Sequence, residues 1–191
     1  IKSHYPEYIP QVSTSKSPQQ MFGAIAKSYY ADILKVSPKK IFSVSIMPCL
    51  AKKAECSYPN MKDSEGNFDV DVALTTREVN RLIRAMHISP KKMKDVELDM
   101  PLGLGSGAGN IFGATGGVME AALRSAYYLA TGENPDPDAF KDVRGMDGWK
   151  ESSFDIAGNK LKIAVVNGLA NADRLLTALK KGQVHYDFVE V

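Results

Sequence analysis

Apolar positions along the chain follow two different periods, and these predict an alternation of helices and strands. Segments with apolar residues three or four apart predict helices at 18–34, 76–87, 117–131 and 169–181. Short apolar runs predict strands at 41–47 and 69–75, a pair within 152–168, and a last strand at 186–191. Because helices alternate with short apolar strands, we expect an α/β fold with a mainly parallel sheet flanked by helices.

Specific residues mark where two of these helices begin. Ser17 can cap the first helix, Pro18 suits its first position, and Gln20 stands where a capping box needs it. Thr75 and Glu78 have the same spacing ahead of the second helix. Both helix starts are therefore predicted from local sequence.

Glycines predict where the chain turns or loses regular structure. Residues 101–117 contain seven glycines, which predicts an irregular loop, and Gly132 ends the helix that follows. Residues 157–160 read Ala-Gly-Asn-Lys between two strands, which predicts a β-hairpin near the C-terminus. Residues 56–68 are polar and rich in turn formers, and we expect them to form a surface loop.

The glycine-rich loop leaves two interpretations open. Gly113, Gly116 and Gly117 allow either a bulky ligand to lie against the main chain or a helix to pack tightly. The run "GAGNIFG" loosely matches a dinucleotide-binding turn. No strand directly precedes it and no ribose-binding acid follows on a second strand, so a nucleotide-binding protein is a weak alternative.

Length and composition indicate an ordinary globular domain. The chain has 191 residues, 44% of them hydrophobic and 24% charged. No apolar run approaches the roughly 20 residues that a membrane helix needs, so we expect no membrane span. A net charge of +2 without a basic stripe argues against a nucleic-acid partner.

The ends of the chain and its cysteines indicate whether the chain is part of a longer protein and which cellular compartment it occupies. Ile1 is not an initiator methionine, no signal-peptide pattern follows it, and Val191 closes a strand-like run, so we expect a piece of a longer protein. Two cysteines rule out a disulfide framework. A reducing compartment fits them, and the cytoplasm is the expected location, with the periplasm as the alternative.

Cys49 is the candidate for chemistry, because it follows a predicted strand, where α/β sheets place ligands. A cysteine binds metal as a thiolate, and the neighbouring Lys52 and Lys53 favour that charge. Glu55 can pair with Lys52 if this stretch is helical. The alternative is that Cys49 is a small buried apolar residue, and Cys56, in a polar loop, is expected to be incidental.

Four segments together carry a family resemblance: "MPCLAKKAE", "SGAGNIFGATGGVMEAALRSA", "SKSPQQMFG" and "ALTTREV". In their order and spacing they resemble the catalytic domain of iron-only (di-iron) hydrogenases across residues 1–191. The resemblance implies the fold of the C-terminal domain of that family's large subunit. It also implies an enzyme that interconverts dihydrogen with protons and electrons.

The resemblance implies a cofactor, the H-cluster. In the family this is a 4Fe-4S cubane joined through a cysteine to a di-iron unit with carbon monoxide, cyanide and a bridging dithiolate. Cys49 would be one of four cysteine ligands of the cubane. Lys52 would donate a hydrogen bond to a cyanide, and Glu55 would hold Lys52.

Further residues receive roles from the same resemblance. Met47 would pack against the di-iron unit. The remaining cavity lining implied by the family consists of Pro18, Gln19, Phe112 and Gly113. Ser13 would relay protons between two glutamates outside the cluster pocket.

The chain departs from the family in its cysteines. Members carry a Cys-Cys-Pro-Gly-Trp motif upstream and a Met-Ala-Cys-x-x-Gly-Cys motif downstream, and neither occurs here. We therefore expect residues 1–191 to be a partial catalytic domain that binds no cluster and is inactive alone. For the parent, the resemblance implies ferredoxin or a similar electron carrier and the H-cluster maturation proteins as partners.

Two non-catalytic relatives remain as alternatives. One is a sensory hydrogenase-like domain, and the other is an iron–sulfur assembly factor that keeps a Met-Pro-Cys motif. The intact "FGATGGVMEAALR" and Lys52 favour a hydrogenase over an assembly factor.

Overall fold

The computed structural model describes all residues, 1–191, and divides them into two compact units. One unit comprises Glu7–Gly103, and the other comprises Ile1–Pro6 together with Leu104–Val191. Each unit has its own small sheet with helices, so the α/β class is confirmed. The strands form two sheets where the sequence suggested one.

The first predicted helix of the unit Glu7–Gly103 is present over its whole length. It consists of α1 (Pro18–Ile25), a π-helical segment (Ala26–Tyr30) and α2 (Ala31–Leu34). Two further helices complete this unit, α3 (Leu50–Glu55) and α4 (Thr76–Ala85). Short 3₁₀ turns occupy Pro6–Gln11, Pro38–Lys40 and Pro90–Lys92.

The sheet of this unit is a parallel pair, β1 (Val44–Ile46) and β2 (Val72–Leu74), in register from Val44 opposite Val72 to Ile46 opposite Leu74. Both strands are shorter than the predicted 41–47 and 69–75. Upstream of the ladder, the N–H of Ser43 donates to the Asp71 side chain and that of Asp69 donates to the Met61 carbonyl.

Lys27, in the π-helical segment, ties the helices to this sheet. Its buried ammonium donates to the carbonyl of Phe68 at 2.7 Å and to the Asp71 carboxylate at 2.6 Å. The same carboxylate oxygen accepts from the backbone N–H of Ser43 at 2.6 Å. Since Ser43 precedes β1 and Asp71 precedes β2, this ion pair holds the entrances of both strands together.

One of the two predicted capping boxes forms. Thr75 accepts a hydrogen bond from the N–H of Glu78, and the Glu78 carboxylate accepts from the N–H of Thr75. The predicted box at Ser17 and Gln20 is wrong, because the Gln20 side chain is fully buried and donates to the Cys56 sulfur instead. Pro18 does occupy the first position of α1.

The sheet of the second unit has three strands in the order β3 (Trp149–Ile156), β4 (Asn159–Val166), β5 (Phe188–Glu190). The antiparallel pair β3–β4 confirms the predicted hairpin. Its two turn residues, Ala157 and Gly158, have φ of +52° and +82°, the sign that a type I′ turn requires. Strand β5 pairs with β4 in parallel.

Three helices and a 3₁₀ turn accompany this sheet: α5 (Gly107–Ile111), α6 (Gly117–Thr131), the turn Lys141–Val143 and α7 (Leu169–Lys180). Helix α6 matches its predicted bounds. The prediction of an irregular loop over 101–117 is wrong for the five residues of α5.

Strand β4 separates two apolar clusters. One contains Met119, Leu123, Phe140, Val143, Ile156, Ile163 and Val165. The other contains Ala164, Val166, Ala172, Leu175 and Tyr186. Because side chains alternate along a strand, successive β4 residues go to opposite clusters. None of the helices combines the length and the apolar character that a membrane-spanning segment requires.

We predict that Glu78 makes the stability of α4 depend on pH. A hydrogen bond from the Lys53 ammonium, followed by that from the Thr75 backbone, lowers the pKa of Glu78 from 4.5 to about 2. Because the folded-state pKa is the lower one, this stabilisation is present above pH 4.5 and is lost as the pH falls through about 2. Urea denaturation at pH 5, 3 and 2 measures it. The Glu78→Gln variant should lose less stability on acidification than the wild type, whereas the control Glu97→Gln should follow the wild type.

Candidate functional site

Cys49 lies where β1 passes into α3. It is the N-cap residue of that helix, with an extended backbone at φ −148° and ψ 119°. Its side chain is exposed, which excludes the alternative of a buried apolar cysteine. Met47, half-buried, extends the β1–β2 ladder by donating from its N–H to the Leu74 carbonyl at 2.9 Å. The strand end therefore presents a thiol at the surface.

The buried side chain of Gln19 connects three elements around Cys49. Its Nε2 donates to the Lys52 carbonyl at 2.9 Å and to Glu55 Oε2 at 3.2 Å. Its Oε1 accepts from Ser45 Oγ at 2.7 Å. A single amide thus links α1, β1 and α3, and it uses both its donor and its acceptor to do so.

Lys52 and Glu55 form the ion pair that their spacing suggests. Lys52 Nζ lies 3.2 Å from Glu55 Oε2, and the side chains are 32% and 12% exposed. Since Gln19 donates to the same carboxylate oxygen, the glutamate is held from two directions. The neighbouring Lys53 instead pairs with Glu78. The two adjacent lysines therefore have different partners.

Cys56 is the residue that the sequence interpretation missed. Its thiol is buried, donates to the Lys52 carbonyl at 3.4 Å, and accepts from Gln20 Nε2 at 3.5 Å. Burial raises the pKa of the Cys56 thiol, although the Gln20 hydrogen bond opposes this. Cys56 forms a small cluster with Val70 and Ala73. This contact could have been predicted from spacing, because Cys56 follows Lys52 by four residues and a helix places such a side chain beside the Lys52 carbonyl.

Seven of the proposed site residues belong to the unit Glu7–Gly103, and the contacts above join three of them, Gln19, Lys52 and Glu55. Pro18 is exposed next to Gln19. Ser13 is exposed, and its Oγ accepts from the N–H of Ser15 at 3.2 Å. Its role as a proton relay stays a prediction.

Phe112 and Gly113 belong to the other unit and follow α5. Phe112 is half-buried, Gly113 is exposed, and a Cβ added to Gly113 would meet no atom within 4 Å. A Cβ at Gly116 would lie 2.0 Å from the Val143 carbonyl oxygen, and one at Gly117 would lie 1.7 Å from that of Ile111. Tight packing therefore explains Gly116 and Gly117, while Gly113 leaves space for a neighbouring group.

The chain can supply one of the four cysteine ligands of an iron–sulfur cubane. Such a cluster requires four thiolate ligands. Cys49 is exposed and suitable, whereas Cys56 is buried and hydrogen-bonded. No three His, Cys, Asp or Glu side chains converge in a way that suits a metal ion. The chain supplies one ligand and a polar surround, and the full ligand set is not among these residues.

Comparison with known proteins identifies the family. The family model for the C-terminal domain of the iron only hydrogenase large subunit matches residues 1–191. The chain therefore belongs to this family.

Curated relatives include hydrogenases and assembly factors. The chain is 50% identical to the NADP-reducing hydrogenase subunit HndD of Solidesulfovibrio fructosivorans, over 97% of this chain and 32% of the relative. It is 43% identical to iron hydrogenase 1 of Clostridium pasteurianum, over 100% and 33%. It is 32% identical to the cytosolic Fe-S cluster assembly factor narfl of Xenopus tropicalis, over 100% and 41%. The chain thus spans less than half the length of these relatives.

Solved structures share the fold. Apo FeFe hydrogenase HydA1 of Chlamydomonas reinhardtii, in a cysteine-to-histidine variant, matches with a TM-score of 0.75 and 37% identity. The match covers 98% of this chain and 54% of that one. The α/β arrangement is therefore that of an FeFe hydrogenase domain.

We predict that Gly116→Ala destabilises the protein more than Gly132→Ala. Both glycines flank α6 in the left-handed conformation, at φ +82° and +77°. An alanine at either position costs about 1–2 kcal/mol for the backbone alone. Only at Gly116 would the Cβ collide with the main chain, which adds roughly 1–3 kcal/mol. Thermal and urea unfolding measure both variants, and equal losses would contradict the packing at Gly116.

We predict that the two cysteines react at different rates with iodoacetamide. The exposed Cys49 should be alkylated in the native protein, while burial protects Cys56 and raises its pKa, which lowers its thiolate fraction. Peptide mass spectrometry over a time course should show Cys56 reacting at least roughly tenfold more slowly. In denaturant both should react. Equal native rates would contradict the placement of Cys56.

Proposed function

We propose that this chain is part of the catalytic domain of an iron-only hydrogenase, whose H-cluster interconverts dihydrogen with protons and electrons. The observation that carries this is the exposed Cys49 at the end of β1, followed by Lys52, which Glu55 holds through an ion pair. The identity of 50% to HndD, against 32% to the assembly factor, supports the hydrogenase over the assembly-factor alternative.

In this proposal the chain supplies one cubane ligand and donors around the di-iron unit. Cys49 would bind iron as a thiolate, and the other three cysteines would come from beyond these residues. The bound cluster would supply the redox and hydrogen-binding chemistry. Lys52 would donate a charge-assisted hydrogen bond to a cyanide ligand, a contact that is strong in a site without water.

Glu55 and Gln19 would keep Lys52 ready for that contact. The carboxylate holds the ammonium in place, and Gln19 holds both the carboxylate and the main chain of α3. A donor whose direction is already set loses little entropy when it binds. Within the same unit, the apolar side chains of Pro18 and Met47 would line the cluster cavity beside Cys49. The family resemblance gives Phe112 and Gly113 the same lining role.

The remaining roles belong to the parent protein. Ser13, exposed near the start of the unit, would carry protons between glutamates outside the cluster. A ferredoxin-type carrier would exchange electrons with the parent, and maturation proteins would install the di-iron unit. Residues 1–191 alone would be inactive, because a single exposed cysteine does not hold a cubane.

The test is Cys49→Ala in the full-length parent, matured with its di-iron unit. We expect loss of the infrared bands of carbon monoxide and cyanide and loss of hydrogen turnover, because a cubane ligand is removed. The control Cys56→Ser keeps a hydroxyl beside the Lys52 carbonyl and should retain the bands. Normal bands and turnover in Cys49→Ala would refute the ligand role. Absence of the bands from the wild type would favour the assembly-factor alternative.

A further inference from the structure

Glu190, the last residue of β5, binds the start of α6 with both carboxylate oxygens. Its Oε1 accepts from the N–H of Gly116 at 2.9 Å, and its Oε2 accepts from the N–H of Met119 at 2.6 Å. The two donors are separated from Glu190 by 74 and 71 positions in the sequence. The contact is therefore tertiary, and it joins the start of α6 to the last strand of the chain.

Helix α6 needs this contact because its own N-cap residue has no side chain. The N-cap is Gly116, and the third helical residue is Met119, whose N–H an N-cap side chain ordinarily satisfies. Met119 is also completely buried in the larger apolar cluster, where an unpaired N–H would be costly. Glu190 supplies the missing acceptor, and its negative charge suits the positive end of the helix dipole.

The segment fixed by this contact is the one that joins α5 to α6. Phe112 donates from its N–H to Ala108 at 3.1 Å, and Gly117 donates to Ala114 at 2.9 Å. Gly116, the last residue of this connection, packs against the Val143 carbonyl too closely for any side chain. Because Glu190 binds the N–H of Gly116, it fixes the downstream end of this connection, three residues after Gly113.

We propose that Glu190 is a positioning residue for the Phe112–Gly113 segment, which it holds by capping α6 from β5. The inference rests on the proposed function, since it matters to chemistry only if this segment lines the cluster cavity. Glu190 contacts the main chain at the start of α6, so it would influence the cluster through the position of this segment. A residue that merely caps a helix would affect stability and leave the surroundings of the cluster unchanged.

The first measurement is native-state hydrogen exchange in the full-length parent without its di-iron unit. Glu190→Gln keeps the size of the side chain and loses one acceptor and the charge. Exchange at the Gly116 and Met119 amides should become roughly tenfold faster, in line with the loss of a helix cap. Glu190→Asp, which keeps the charge, should lie between Gln and wild type. The control Glu133→Gln, at an exposed position of the same unit, should exchange as the wild type does.

The second measurement is the infrared spectrum of the matured parent. In Glu190→Gln we expect the carbon monoxide and cyanide bands to shift or broaden, and in Glu133→Gln we expect them unchanged. Unchanged exchange at both amides would overturn the capping contact. Faster exchange with unchanged bands would reduce Glu190 to an ordinary cap and overturn the positioning role. If the wild type shows no bands, the proposed function fails, and the positioning role fails with it even where exchange is faster.

Discussion

The side-chain amide of Gln19 is the interaction on which the candidate site depends. It contacts α3 at two points and β1 at a third, so the helix that follows Cys49 is tied to both of its neighbours. Helix α3 has only six residues, too few for a stable isolated helix, so it depends on contacts such as this one. Without this contact, the Cys49 thiol and the Lys52 ammonium would not be held in a fixed position relative to each other. A buried amide with both ends satisfied is well suited to this task, because any displacement leaves a polar group unpaired.

In the unit that includes Leu104–Val191, the Glu190 carboxylate likewise holds a helix through its backbone groups. Gly116 has to be glycine because the Val143 carbonyl leaves no space for a side chain, and a glycine N-cap has no side chain to accept from the N–H groups of the first turn. Glu190 then provides the acceptor from another element. In both units a side chain that is distant in the sequence binds backbone groups of a helix close to proposed site residues, the Lys52 carbonyl in one unit and the Gly116 and Met119 N–H groups in the other.

Family membership and the geometry of the chain account for different parts of the proposed function. The family model covers residues 1–191, and the hydrogenases that match are longer proteins. The geometry adds that Lys52 and Lys53, adjacent and chemically alike, have separate partners in Glu55 and Glu78. It also shows that the chain has one exposed and one buried thiol. The division between the proposed ligand and the structural cysteine therefore follows from burial.

Features with local causes could be predicted from the residues alone, whereas contacts between distant residues could not. The capping box at Thr75 and Glu78 and the pairing of Lys52 with Glu55 join residues three positions apart, where spacing dictates the contact. The four family motifs indicated the protein class for the same reason, since each is a short run of residues.

The tertiary structure decided the contacts that local spacing does not dictate. Gln20 fits a capping box by spacing, yet its side chain is buried against Cys56, because a buried amide must take the partner that its packed neighbours offer. Cys56 contacts Gln20, and Glu190 contacts Gly116 and Met119, only when distant segments pack together, so the tertiary structure alone decided these contacts.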